Sequence, residues 1–167
     1  MKLLLNDNIL VLIWENFLKI SKLKKLKTGY FKQIDDNLKM GYVSISMYPS
    51  KNKNVLFEFK SLAPNWKLDQ MLKAKNITES DFEKEYLVQL NYLNANTIFE
   101  EINFLTGGKE PILMTHGNKT SFCHRHILAK WFENELGIEI DEFKIGTVKR
   151  SNGYMKKITQ KRLFENE

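Results

Sequence analysis

The sequence predicts a single α/β domain, with a mostly parallel sheet flanked by helices and a β-hairpin extension at the C-terminal end. Three observations carry this. Short apolar or alternating runs (Val43 to Tyr48, Val55 to Phe59, Ile112 to Met114, Ile138 to Ile140) read as strands. Capped helical patterns stand between them, and strands interleaved with helices favour parallel pairing, which needs long crossover connections. Finally, Asn152-Gly153 lies between strand-like flanks and accepts the two positive φ angles of a type I′ turn.

Residues 1–25 read as an apolar-basic leader helix. Leu10, Ile13, Trp14, Phe17 and Leu18 recur at helical spacing and lysines follow them. The run Ile9 to Ile13 is flanked by Asp7 and Glu15, lacks a small-residue cleavage site and is too short to span a bilayer. A cytoplasmic protein with no membrane association is the expectation.

The α/β domain is expected over residues 26–143. Val43 to Tyr48 alternates and stops at Pro49, as a half-buried strand does, with Ser44 and Ser46 on the face away from Val43 and Ile45. Val55 to Phe59 reads as an edge strand. Asn65 caps a helix holding Trp66, Leu68, Met71 and Leu72, and Ser80 with Glu83 forms a capping box ahead of Phe82, Tyr86, Leu90 and Leu93. A further helix, Thr97 to Leu105, ends at Gly107-Gly108. Pro111 opens the next apolar run, and Gly137 ends the helix that follows it. Residues 144–167 form a basic hairpin tail.

A chain of 167 residues suffices for one core and is too short for two comfortable domains. Its 43% hydrophobic and 12% aromatic content excludes a disordered chain. One cysteine permits no intrachain disulfide, which fits a reducing compartment. The net charge of +6 suits an anionic partner, either a small or nucleotide-like ligand or a nucleic acid. No cofactor is indicated, and the oligomeric state is left open.

The only cysteine and all three histidines fall between Pro111 and Phe132. Here an apolar strand passes through a polar loop, His116 to Ser121, into an amphipathic helix. In open α/β sheets ligands bind beyond the carboxyl ends of the strands, which is where this loop belongs. With a helix start near Ser121, the inward stripe is Ile127, Leu128, Trp131, Phe132 and Leu136. His124 and Arg125 share that side, while His126 is expected to face solvent with Lys130 and Glu133. Free amides and dipole at a helix start favour negative charge, so Cys123 is biased toward thiolate and Arg125 toward an anion. Burying an unpaired guanidinium is costly, so Arg125 needs either an anion from outside or an acidic partner inside, with Glu139, Asp141 and Glu142 as candidates. The helix start favours the outside anion. A metal site is not expected, since Cys123, His124 and His126 diverge around the helix.

The run Phe122 to Phe132, with Gly137-Ile138-Glu139-Ile140, resembles the hallmark of the domain of unknown function 488 (DUF 488) family, whose specific element is Cys123-His124-Arg125. Thr28-Gly29-Tyr30-Phe31 is similar to that family's opening strand, Val43 to Pro49 to its next motif, and Leu62-Ala63-Pro64 and the helix Phe82 to Leu93 follow in order. The resemblance covers residues 26–143. It implies an α/β domain with a polar site around the Cys-His-Arg tripeptide, and names no reaction. The family strand before the tripeptide ends in a cysteine, an aromatic residue and a glutamate, where this chain has Met114, Thr115 and His116. His116 thus stands where the family has an acid, and can serve as acid or base near neutral pH.

Two readings of function follow. In the first, an enzyme acts on a small anionic or nucleotide-like substrate, with Cys123, His124 and His116 as catalytic candidates and Arg125, Thr28, Tyr30 and Tyr48 as binding candidates. In the second, an accessory protein binds nucleic acid through its basic extensions, with Lys149, Arg150, Lys156 and Lys157 on phosphates and Tyr154 stacked on a base.

Overall fold

The computed structural model describes residues 25–35 and 40–158. The leader helix expected over residues 1–25 lies outside these, save for Lys25. The described chain forms a five-stranded sheet and a separate two-stranded hairpin. The strands are β1 (Lys27–Tyr30), β2 (Met40–Ser44), β3 (Phe57–Glu58), β4 (Glu110–Thr115), β5 (Asp141–Glu142), β6 (Val148–Ser151) and β7 (Tyr154–Lys157). The helices are α1 (Trp66–Lys73), α2 (Glu79–Asn91), α3 (Ala95–Leu105) and α4 (His124–Leu136).

Strand order in the sheet is β3-β2-β4-β1-β5, and every pairing is parallel. β4 occupies the centre, with Val43↔Leu113 in register on one side and Thr28↔Leu113 on the other. Its carboxyl end therefore emerges between the ends of β2 and β1. Side-chain alternation divides the core: Val43 and Leu113 join apolar residues of all four helices, while Tyr42, Ile112, Met114 and Phe143 form a smaller cluster. No helix among the described residues is long and apolar enough to cross a membrane.

Burial at β2 differs from the half-buried strand that alternation suggested. Residues 41–46 are all buried, serines included, because β2 is an interior strand of a parallel sheet. The regular strand also begins earlier, at Met40, and ends at Ser44. β3 is indeed an edge strand.

Asn65 caps α1 by accepting from the Leu68 amide. The capping box of α2 belongs to Thr78 and Asp81, not to Ser80 and Glu83. Thr78 Oγ1 accepts from the Asp81 amide at 3.1 Å and Asp81 Oδ2 accepts from the Thr78 amide at 3.2 Å. The last strand of the sheet is Asp141–Glu142, later than the Ile138 to Ile140 run, and Ile140 serves the core instead. The hairpin is as expected: Asn152 and Gly153 take φ of 51° and 74°.

Candidate active site

The site forms where β4 ends. Thr115 is fully buried, and the chain then loops through residues 116–122 to Cys123, the N-cap of α4. α4 starts later than the amphipathic pattern indicated. Asn118 Oδ1 captures the Thr120 and Ser121 amides at 2.9 and 2.8 Å, holding this stretch in a turn that competes with helix. Gly117 is forced by close approach: a Cβ there would lie 2.6 Å from Arg125 Nη1 and 2.9 Å from Cys123 Sγ.

Cys123 stands at the head of α4. Its amide donates to the Gly153 carbonyl at 2.9 Å, and its sulfur lies 3.4 Å from Thr115 Oγ1. Burial pushes the thiol up. The hydrogen bond and charge of His124, the Arg125 guanidinium and the Thr115 hydroxyl outweigh that, and bring it down from 9.0 to about 6. The N-terminal dipole of α4 acts in the same direction. Near neutral pH the sulfur is therefore largely thiolate. The negative charge reaches Tyr86, whose phenol is raised well above 10.0 by burial first and by Cys123 second.

The tautomer of His124 is set by a backbone group. Its Nε2 lies 2.9 Å from the Ile45 carbonyl, which can only accept, so Nε2 carries a proton. Nδ1 remains as the nitrogen that can take or return a proton. The Tyr86 ring stands edge-on to the imidazole, with centroids 5.8 Å apart.

Cys123 and His124 open into a cleft of about 500 Å³. Its other walls include Tyr48, Leu72, Phe82 and Phe122, with Ser46, Asp69, Lys73 and His116 as polar members. Lys73 Nζ lies 2.6 Å from Asp69 Oδ2 and 4.3 Å from the centre of the Tyr48 ring. His116 Nε2 is 3.2 Å from the Tyr48 carbonyl, and the imidazole packs edge-on against Phe31. Cys123, His124, His116 and Tyr48 thus meet at one cleft.

Arg125 does not join them there. It is fully buried, donating from Nε to Glu142 Oε1 at 3.0 Å, from Nη2 to the Asn118 carbonyl at 2.6 Å, and from Nη1 to Thr115 Oγ1 at 3.4 Å. The expectation of an outside anion is corrected: the counterion is internal, and is one of the acidic residues that sequence had named. Thr28 and Tyr30 serve the same cluster rather than the cleft. Thr28 Oγ1 donates to Glu142 Oε2 at 2.7 Å, and the Tyr30 ring lies 5.4 Å from the guanidinium.

His126 is also placed otherwise than expected. It is buried, and burial first, then the charges of Arg125, Arg150 and His124, drives its pKa from 6.5 to about 2. β6 packs on part of the face of α4 expected to meet solvent, with Arg150 bonded to Glu133 at 3.0 Å, while Lys130 stays exposed. Two of the residues expected to contact nucleic acid are engaged within the protein. Arg150 is buried against Glu133, Glu142 and Thr28, and the Tyr154 hydroxyl donates to Glu79. Lys149, Lys156 and Lys157 remain exposed.

Sequence reasoning missed Gly117, Asn118, Lys73 and Gly153. The Asn118-x-Thr120 turn signature was the one local clue, since the other three depend on tertiary approach. Among the described residues, no group of three His, Cys, Asp or Glu side chains is arranged to hold a metal ion. No family model, curated protein or solved structure matches the chain.

Proposed function

We propose that the protein is a cysteine-dependent enzyme that attacks a carbonyl or phosphoryl centre of a small anionic or nucleotide-like substrate. The observation that carries this reading is the Cys123–His124 pair at the cleft, with His124 Nε2 committed to the Ile45 carbonyl. A nucleophile, a base and a group that orients the base are the parts covalent catalysis needs. His124 Nδ1 takes the Cys123 thiol proton, the sulfur forms the new bond as the bond to the leaving group breaks, and the Nδ1 proton then passes to the departing atom. Water, deprotonated by the same nitrogen, then releases the product and restores the thiolate. Lys73, ion-paired with Asp69 in the cleft wall, offers a cation to the substrate anion, and His116 is a second candidate acid. Arg125 is a positioning residue, because it holds Thr115 and the Asn118 carbonyl on either side of the sulfur's loop. The proposal extends to kinship with the DUF 488 family, on the Cys-His-Arg tripeptide and the motifs around it.

With one cysteine in the chain, iodoacetamide labelling reports Cys123 alone. The rate of labelling is expected to rise with a midpoint near the thiol's value of about 6, and to move upward in His124→Ala. A panel of activated carboxylic and phosphate esters should be turned over by wild type and not by Cys123→Ala. A midpoint at an ordinary thiol value, or turnover unchanged in Cys123→Ala, overturns the reading.

A further inference from the structure

We infer that the C-terminal hairpin is a working part of this site, with Gly153, Tyr154 and Arg150 as positioning residues for Cys123. The inference rests on the reading of Cys123 as the nucleophile. Three independent attachments join the hairpin to it.

The first is direct. The turn carbonyl of Gly153 accepts the Cys123 amide at 2.9 Å, so the hairpin tip fixes the backbone of the N-cap itself. Cys123 sits at φ −157° and ψ 134°, extended as an N-cap must be, and makes no side-chain cap bond that would tie up its sulfur. A cap that leaves its side chain free for chemistry needs its backbone held from elsewhere, and Gly153 supplies that hold.

The second attachment is aromatic. Gly153 lies so close to the Phe122 ring that a Cβ would overlap it, and the Tyr154 ring meets Phe122 edge-on at 5.8 Å. Phe122 is the residue before the nucleophile and a wall of the cleft. Tyr154 then donates its hydroxyl to Glu79, in the first turn of α2, the helix that brings Phe82 to the cleft. Glu79 also raises the Tyr154 pKa through this hydrogen bond.

The third is electrostatic. Arg150 reaches Glu142 Oε2 at 3.6 Å while Arg125 holds Oε1 at 3.0 Å, so a single carboxylate joins the hairpin to the residue that supports the loop around the sulfur. Arg150 donates as well to Thr28 Oγ1 at 3.0 Å and Glu133 Oε1 at 3.0 Å, which anchors β6 to β1 and α4. The hairpin is thereby clamped at its base and applied to the nucleophile at its tip.

The test is the pH dependence of iodoacetamide labelling on the full chain, for wild type, Gly153→Ala, Tyr154→Ala and Tyr154→Phe. Each variant is first checked for native circular dichroism and a cooperative melt. Tyr154→Ala and Gly153→Ala are expected to raise the labelling midpoint by about one unit or more, toward that of a free thiol. Tyr154→Phe keeps the ring on Phe122 and should restore most of the wild-type profile. Tyr154 is 39% exposed, so its variants fold even where Gly153→Ala does not. Folded Tyr154→Ala with the wild-type midpoint overturns the role of the hairpin alone. A wild-type midpoint that is not depressed overturns the nucleophile reading on which it rests.

Discussion

Arg125 lies beside Cys123 in sequence, yet its guanidinium bonds only to groups within the protein. Two buried cations, Arg125 and Arg150, share the carboxylate of Glu142, and Arg150 also pairs with the partly exposed Glu133. A cluster of this kind balances only while complete, since losing one partner strands a charge without hydration. Arg125→Ala is therefore expected to lower stability by about 3–5 kcal/mol, the range for breaking a buried pair. Arg125→Lys keeps the charge but not the three-way fork, and should recover part of the loss. Thermal melts with and without inorganic phosphate check this. The loss should be the same in both, because Glu142 already fills the place of an anion. A phosphate-induced rise in the wild-type melting temperature that Arg125→Ala abolishes would show that an outside anion is bound here after all.

At the level of elements, local chemistry was legible wherever it acted alone. Asn65 capping α1, Gly107-Gly108 after α3 and Asn152-Gly153 in the hairpin all follow from what those side chains, or their absence, do to the nearest turn. The start of α2 was misplaced because Thr78-x-x-Asp81 and Ser80-x-x-Glu83 overlap in sequence, and either can begin a helix. Thr78→Ala is expected to cost about 1 kcal/mol in chemical denaturation, while Ser80→Ala changes almost nothing. A loss in Ser80→Ala with none in Thr78→Ala would return the cap to Ser80. Burial of His126 was illegible for a different reason. Nothing local to α4 announces that a strand arriving from residues 148–151 will pack against it. The same distance in sequence hid the link from Gly153 to Cys123. The parallel sheet and the Cys-His pair at its strand ends could be read directly, since they depend on periodicity and on residues adjacent in the chain.

For the whole molecule, two groups link stability to pH with the same sign. His126 protonates near 6.5 when unfolded but only at about 2 when folded. Between those values the unfolded chain holds a proton that the folded one refuses, so stability falls as pH drops from 6.5 toward 2. Cys123 ionises at 9.0 when unfolded and at about 6 when folded. Between these the folded chain has released a proton that the unfolded one keeps, so stability rises with pH across this window and is lost on the way down to 6. The windows adjoin, so the combined contribution of these two groups is expected to rise from acid to mildly alkaline pH. Substitution separates them. His126→Leu removes a ring whose nitrogens have no hydrogen-bond partner among the described residues, and should flatten the acid limb without harm at neutral pH. Cys123→Ser should flatten only the limb above pH 6. Urea midpoints measured across pH for the three proteins decide it. A wild-type midpoint that does not climb above pH 6, or climbs equally in Cys123→Ser, means that folding does not stabilise the thiolate, and the nucleophile at the head of α4 loses its physical basis.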